Sequence, residues 1–234
     1  MARPFYMLDI ESLATAQDAQ GKSFIAMPNF AFVYVSSEGQ YSMLYGQLPV
    51  QDQLNAGAVV GASTLAFWMT EAANGNDAAT NIIAALSGKG SIIRVEPDGE
   101  GEYHILRYSE PDTYDVFREA ALFFKDHGDA PVIGNGPEFD NVIFEAVFRA
   151  MHSNTQAMLW KFWSSGSART YKDMAIEKGH YVKNLQKDAT LEAIAILDAL
   201  SGQAFSARFV TSKHDPLLDA LAEAITVQKI KAII

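Results

Sequence analysis

Residues 3–13 read Arg-Pro-Phe-Tyr-Met-Leu-Asp-Ile-Glu-Ser-Leu, a near-continuous apolar run interrupted by Asp9 and Glu11. Such a run predicts a strand, on which positions i and i+2 share a face roughly 6–7 Å apart. Two acids on one face of a buried strand are costly to ionise unless a cation sits between them. Hard divalent ions take carboxylate oxygens and are the usual remedy. Taken alone, an Asp-x-Glu at a strand end is more often simply solvated.

The pattern beyond it alternates strand and helix signals. Residues 30–36 are aromatic and β-branched and predict a second strand, 37–40 a turn, and 41–48 a third strand, together an antiparallel meander. Helices are expected over 63–73, capped by Ser63 or Thr64, and over 77–86. A hairpin is expected over 91–109 about the turn 97–101. Phe117, Ala120, Ala121 and Phe124 recur at helical spacing within 112–127, a helix capped by Asp112 or Thr113 and ended by Gly128. Residues 131–134 predict a short buried strand, 135–137 a turn and 138–151 a helix. The stretch 159–174, with Trp160, Phe162 and Trp163, reads as irregular; 190–200 reads as a helix closed by Gly202, and 216–234 as a final helix. The expected fold is α/β, a mixed sheet (antiparallel meander plus parallel strands) flanked by helices. Without an internal repeat or charged linker, one domain over 1–234 is expected, with the 91–109 hairpin as an insertion.

Composition narrows the chemistry. The absence of cysteine excludes disulfides, zinc thiolates and cysteine nucleophiles. No signal-like start or membrane-length apolar stretch is visible, so a cytoplasmic protein without membrane contact is expected. The net charge of −10 argues against a protein that coats nucleic acid non-specifically. Catalysis through metals stays open, because metal-binding carboxylates contribute to that count.

Two more acids stand near expected helix starts. In Gly134-Asn-Gly-Pro-Glu-Phe-Asp140, Pro137 suits a first helical turn and places Asp140 about one turn inside. In His214-Asp-Pro-Leu-Leu-Asp219, Asp215 suits N-cap and Pro216 the first helical position, placing Asp219 in the first turn. Acids there complement the helix dipole, which is the usual reason for them, and their side chains lean toward the helix start. His214 precedes its helix; a lone histidine there is ordinarily a surface residue.

In order and context these residues resemble the DEDDh 3′-5′ exonuclease superfamily, which has an RNase H-like fold. Its first motif, Asp-x-Glu on strand one, is matched by Asp9 and Glu11; its second by Phe139-Asp140; its third, His-x4-Asp, by His214 and Asp219. The chain is most similar to the phage DexA, exonuclease VIII and mycobacterial exoribonuclease-like branch. That branch carries Asn-Gly-Pro-x-Phe-Asp, as in Asn135–Asp140, an Arg-Thr like Arg169-Thr170, and a tryptophan segment like Ala66-Phe67-Trp68-Met69. Leu218 departs from the third motif, where relatives often carry an aspartate, but the histidine-to-ligand spacing is kept.

The resemblance implies hydrolysis of phosphodiester bonds at the 3′ end of single-stranded nucleic acid. Asp9, Glu11, Asp140 and Asp219 would hold two Mg²⁺ (or Mn²⁺) ions, with His214 as general base. Phe139 would stack on a base or pack in the core, and Arg169 would contact phosphate, orient a carboxylate or lie free at the surface. Asn135 would cap its helix or touch substrate, and Trp68 reads as core before platform. DNA is slightly favoured over RNA by the phage likeness. The rival readings are a non-catalytic nucleic-acid-binding module and a hydrolase of another phosphoester. Oligomeric state is open, a homodimer included.

Overall fold

The computed structural model describes residues 3–15, 18, 24–99, 102–152, 158–203 and 209–234. In chain order the elements are β1 (Phe5–Glu11), β2 (Phe24–Ile25), β3 (Asn29–Val35), β4 (Tyr41–Gln47), α1 (Val50–Asn55), β5 (Ala58–Val59), α2 (Ala62–Ala73) and α3 (Asp77–Leu86). There follow β6 (Ser91–Pro97), β7 (Tyr103–Ser109), α4 (Thr113–His127), β8 (Val132–Gly134) and α5 (Asp140–Met151). A 3-10 turn at Phe162–Ser164 leads to β9 (Ser165–Ser167), α6 (Ala168–Glu177), α7 (Val182–Gln203) and α8 (Pro216–Ile233).

Seven of these strands form one sheet in the order β7-β6-β4-β3-β1-β8-β9. β1 runs antiparallel to β3 and parallel to β8, which is parallel to β9; the other pairings are antiparallel. This is the mixed α/β sheet flanked by helices that the sequence predicts, and it is consistent with an RNase H-like arrangement. Among the described residues no helix is long and apolar enough to cross a membrane.

The alternation of β1 decides which side chains meet which layer. Tyr6, Leu8 and Ile10 enter a core with Phe30 and Phe32, closed by Phe117 and Phe123 of α4 and Phe144 and Phe148 of α5. Phe5 and Met7 point the other way, into a core with Ala31, Val33, Ala193 and Leu197 of α7, and Leu221 and Ile225 of α8. Each such large side chain contributes about 1.5–3 kcal/mol by leaving water. Asp9 and Glu11 continue this second face, so the apolar stripe gives way to acids just where α8 begins.

The hairpin expected over 91–109 is present as β6 and β7 and continues the main sheet beyond β4, although residues 100 and 101 of its turn lie outside the described residues. Elsewhere the structure departs from the expected elements. Helix α5 starts at Asp140 and not at 138; Pro137 lies in the preceding turn, so Asp140 is the first helical residue. Gly202 does not close a helix over 190–200 but lies inside α7, which spans 22 residues. Its extra turns at the start are held by burial of Val182, clustered with Ala175 of α6 and Ile230 of α8, and of Ala189 in the core shared with α8. The irregular 159–174 stretch holds β9 and most of α6, whose short polar strand lacks any apolar alternation. Gly61, with no side-chain cap, precedes α2 in place of Ser63 or Thr64.

Candidate active site

β1 carries Asp9 and Glu11 to its carboxyl end, between β3 and the parallel β8. Ligands of α/β sheets gather at the carboxyl ends of parallel strands, where helix N-termini converge. Gly134, the last residue of β8, pairs with Leu8. A Cβ on Gly134 would stand 2.5 Å from Asn141 Oδ1 and 3.2 Å from Asp140 Oδ2. Glycine therefore lets α5 begin hard against the strand, which sets Asp140 beside β1. The buried Asp140 carboxylate accepts a hydrogen bond from the Gly136 backbone N–H at 3.0 Å.

The third segment comes from α8. Asp215 is its N-cap, accepting from the backbone N–H groups of Leu217 and Leu218 at 3.0 and 3.1 Å, with Pro216 at the first helical position. This turn fixes His214 in the left-handed region at φ 69° and sets Asp219 in the first turn. Glu11, His214 and Asp219 then offer ligand atoms that all lie within 4.8 Å of one another. His214 Nδ1 is 3.8 Å from Glu11 Oε1, and its ring meets Phe67 and Trp68 edge-on, both at 5.8 Å.

The electrostatics report the same convergence. Burial pushes Asp9 well above the ordinary carboxylate range, and the charges of Glu11, Asp219, Asp140 and Glu223 push it further. Glu11 is raised by burial, then by Asp219, Asp215 and Asp140. Burial also raises Asp140 and Asp219 to about 6, against backbone hydrogen bonds that lower them. Asp215 rises to about 7, mainly through burial. His214 is lowered by burial and by Lys213. A group of acids so expensive to ionise together is a strong site for a divalent cation. The buried Glu223 Oε2, which has no hydrogen-bond partner among the described residues, adds to that excess of acceptor. The carboxylate oxygens of Asp9, Glu11, Asp140 and Asp219 are donors of the kind that hard divalent ions take.

The proposed substrate contacts divide. Phe139 precedes α5 and is 39% exposed beside Asp140, so it is not consumed by the core. Arg169, on α6, has its guanidinium over Gly136 and 3.4 Å from Glu138 Oε1, and its charge lowers Asp140. Asn135 does not cap α5: Phe139 is the N-cap, with no side-chain cap, and Asn135 Oδ1 accepts from Lys172 Nζ at 3.0 Å. Asn135 stands five residues ahead of Asp140, whereas a capping side chain bonds to backbone N–H groups two or three residues on. Trp68 is buried and donates from Nε1 to the Ser12 carbonyl at 3.0 Å, a wall for His214.

Sequence reasoning missed Glu223, Lys172 and Phe67. Glu223 is four residues after Asp219 and so on the same helical face; Lys172 is likewise one turn after Arg169. Phe67, 42% exposed against His214, carried no signal beyond its neighbour Trp68.

Comparison with known proteins gives one finding. The family model described as the 3′-5′ exoribonuclease Rv2179c-like domain matches residues 97–231, more than half of the chain. The match contains Asp140, His214 and Asp219 and leaves β1 outside it. No curated protein and no solved structure matches the chain.

Proposed function

The chain belongs to the 3′-5′ exoribonuclease Rv2179c-like domain family, and on that premise we propose that it removes nucleotides one at a time from the 3′ end of single-stranded nucleic acid. The observation that carries this reading is the meeting of β1, the start of α5 and the start of α8. It brings Asp9, Glu11, Asp140, Asp219 and His214 to one end of the sheet. The family description moves our first choice of substrate from DNA to RNA.

Asp9, Glu11, Asp140 and Asp219 would hold two divalent ions, which supply Lewis-acid polarisation of the phosphodiester and offset its charge. His214, whose pKa burial lowers, would take a proton from the attacking water. The new P–O bond forms as the bond from phosphorus to the 3′-oxygen breaks; solvent water protonates the departing 3′-oxygen and His214 returns its proton to solvent, so a nucleoside 5′-monophosphate is released and the shortened strand ends in a 3′-hydroxyl. Phe67, against His214, and Phe139, next to Asp140, are both exposed and offer faces for terminal bases, a sequence-tolerant contact. Arg169 offers a bidentate fork for a phosphate beside Asp140.

The test is digestion of 5′-labelled single-stranded RNA and DNA of one sequence, with Mg²⁺, with Mn²⁺ and with chelator. Metal-dependent shortening from the 3′ end supports the proposal. Intact RNA and DNA under every condition would favour the binding-module reading instead.

A further inference from the structure

Lys172 sits on α6 with its side chain only 14% exposed, and it donates to Glu223 Oε1 at 2.8 Å and to Asn135 Oδ1 at 3.0 Å. It thereby ties α8 to the loop that carries Asp140. Asn135 and Glu223, together with Asp9, Asp219, Gln186, Thr190 and Thr226, line one cavity of about 180 Å³. Lysine can only donate, so its partner on Asn135 must be the carbonyl oxygen, and the amide's other face is the Nδ2–H₂ donor pair. Around Asp9 and Asp219 the cavity is rich in carboxylate acceptors, to which a nucleotide hydroxyl can donate but a phosphoryl, ring or carbonyl oxygen cannot hydrogen-bond.

We propose that Lys172 is a positioning residue: it holds the Asn135 amide with its donor face toward the cavity, where it binds an acceptor oxygen of the 3′-terminal nucleotide. The inference rests on the exonuclease reading for its substrate, but not for the Lys172–Asn135 link itself. Without Lys172 the amide is free to turn its oxygen inward, where it repels the same ligand atom.

The link is tested through the Asn135 side-chain amide resonance of ¹⁵N-labelled protein, assigned with Asn135→Ala. It should shift and broaden in Lys172→Met, and an unmoved resonance overturns the proposal whether or not the protein cleaves RNA. In cleavage assays with Mn²⁺ and an oligoribonucleotide, Lys172→Met and Asn135→Ala should each raise KM about tenfold, about 1.4 kcal/mol, with kcat changed far less. The double variant should be no worse than either single one; penalties that multiply would mean the two act independently. Because Lys172→Met leaves the half-buried Glu223 carboxylate without its cation and with only the long contact from Gln186 Nε2 at 3.5 Å, Lys172→Met with Glu223→Gln serves as the second variant. It carries the same KM expectation, and a wild-type KM in it also overturns the proposal. A wild-type protein inactive on every oligonucleotide defeats the exonuclease reading instead.

Discussion

His214 Nδ1 and Glu11 Oε1 face each other at 3.8 Å across the gap between the start of α8 and the end of β1. That distance is too long for a hydrogen bond, so the ring is not placed by Glu11. It is placed by its own backbone, at φ 69°, and by the edges of Phe67 and Trp68. A left-handed histidine costs roughly 1–2 kcal/mol, which the Asp215 cap and the buried Pro216–Leu218 turn offset. An imidazole held in this way is suited to the role of base proposed for it.

Replacing His214 by Ala should lower kcat by roughly 10²–10⁴, the usual contribution of a positioned general base. Relief of the unfavourable backbone is smaller in alanine than in glycine, so thermal stability should change little. Single-turnover cleavage in Mn²⁺ measures the effect. A wild-type rate at every pH would remove His214 from the mechanism.

Asp9→Asn should abolish cleavage yet raise the melting temperature of the metal-free protein at pH 7.5. Asp9 is held far above its ordinary range by burial and by four neighbouring acids, so removing its charge relieves the native state. A gain of about 1 kcal/mol corresponds to roughly 2–4 °C in a chain of this size. Calorimetry in chelator decides it, and a lowered melting temperature would contradict the electrostatic picture.

The acids also set a pH dependence with a definite sign. Asp140 and Asp219 are raised from 3.8 to about 6 in the folded protein. Between those values the native state retains protons that the unfolded chain has released, so stability falls as pH rises. The metal-free melting temperature should therefore decline from pH 4 to pH 7. Added Mg²⁺ or Mn²⁺ should restore it more at pH 7.5 than at pH 5, because protons compete for the same oxygens. Cleavage should fade as pH drops through about 6. A metal-free melting temperature that rises from pH 4 to 7 would refute this account.

Away from the site, Arg94 pairs with three acids. It binds Glu96 at 2.7 Å, Glu119 at 3.0 Å and Asp126 at 2.6 Å, joining β6 to α4, and both Arg94 and Glu119 are buried. Arg94→Met should destabilise the protein by about 3–5 kcal/mol, because Glu119 is left charged without a partner. Below its melting temperature the variant should cleave at the wild-type rate. Denaturant unfolding measures the loss; a value under about 1 kcal/mol would mean that water replaces the arginine.

Local rules carried much of the fold. The apolar run of β1, the helical spacing of Phe117 to Phe124 and the Asp215-Pro216 helix start each depend on near neighbours, and each stands close to where the pattern puts it. α6, β9 and the first turns of α7 were not legible, because their burial comes from α8 and β8 and not from their own periodicity.

The candidate site divides along the same line. Asp9, Glu11, Asp140, His214 and Asp219 could be picked out because a carboxylate on an apolar strand or in a first helical turn is locally anomalous. The sequence by itself determined the mixed sheet and these five residue types in their local settings. Only the tertiary structure decided that they share one end of the sheet, that Asn135 faces Lys172 and not its helix, and that Glu223 and Phe67 join them. The physical reason is that spacing along one element fixes which side chains share a face. Which faces meet is fixed by the burial of apolar surface between elements far apart in the chain.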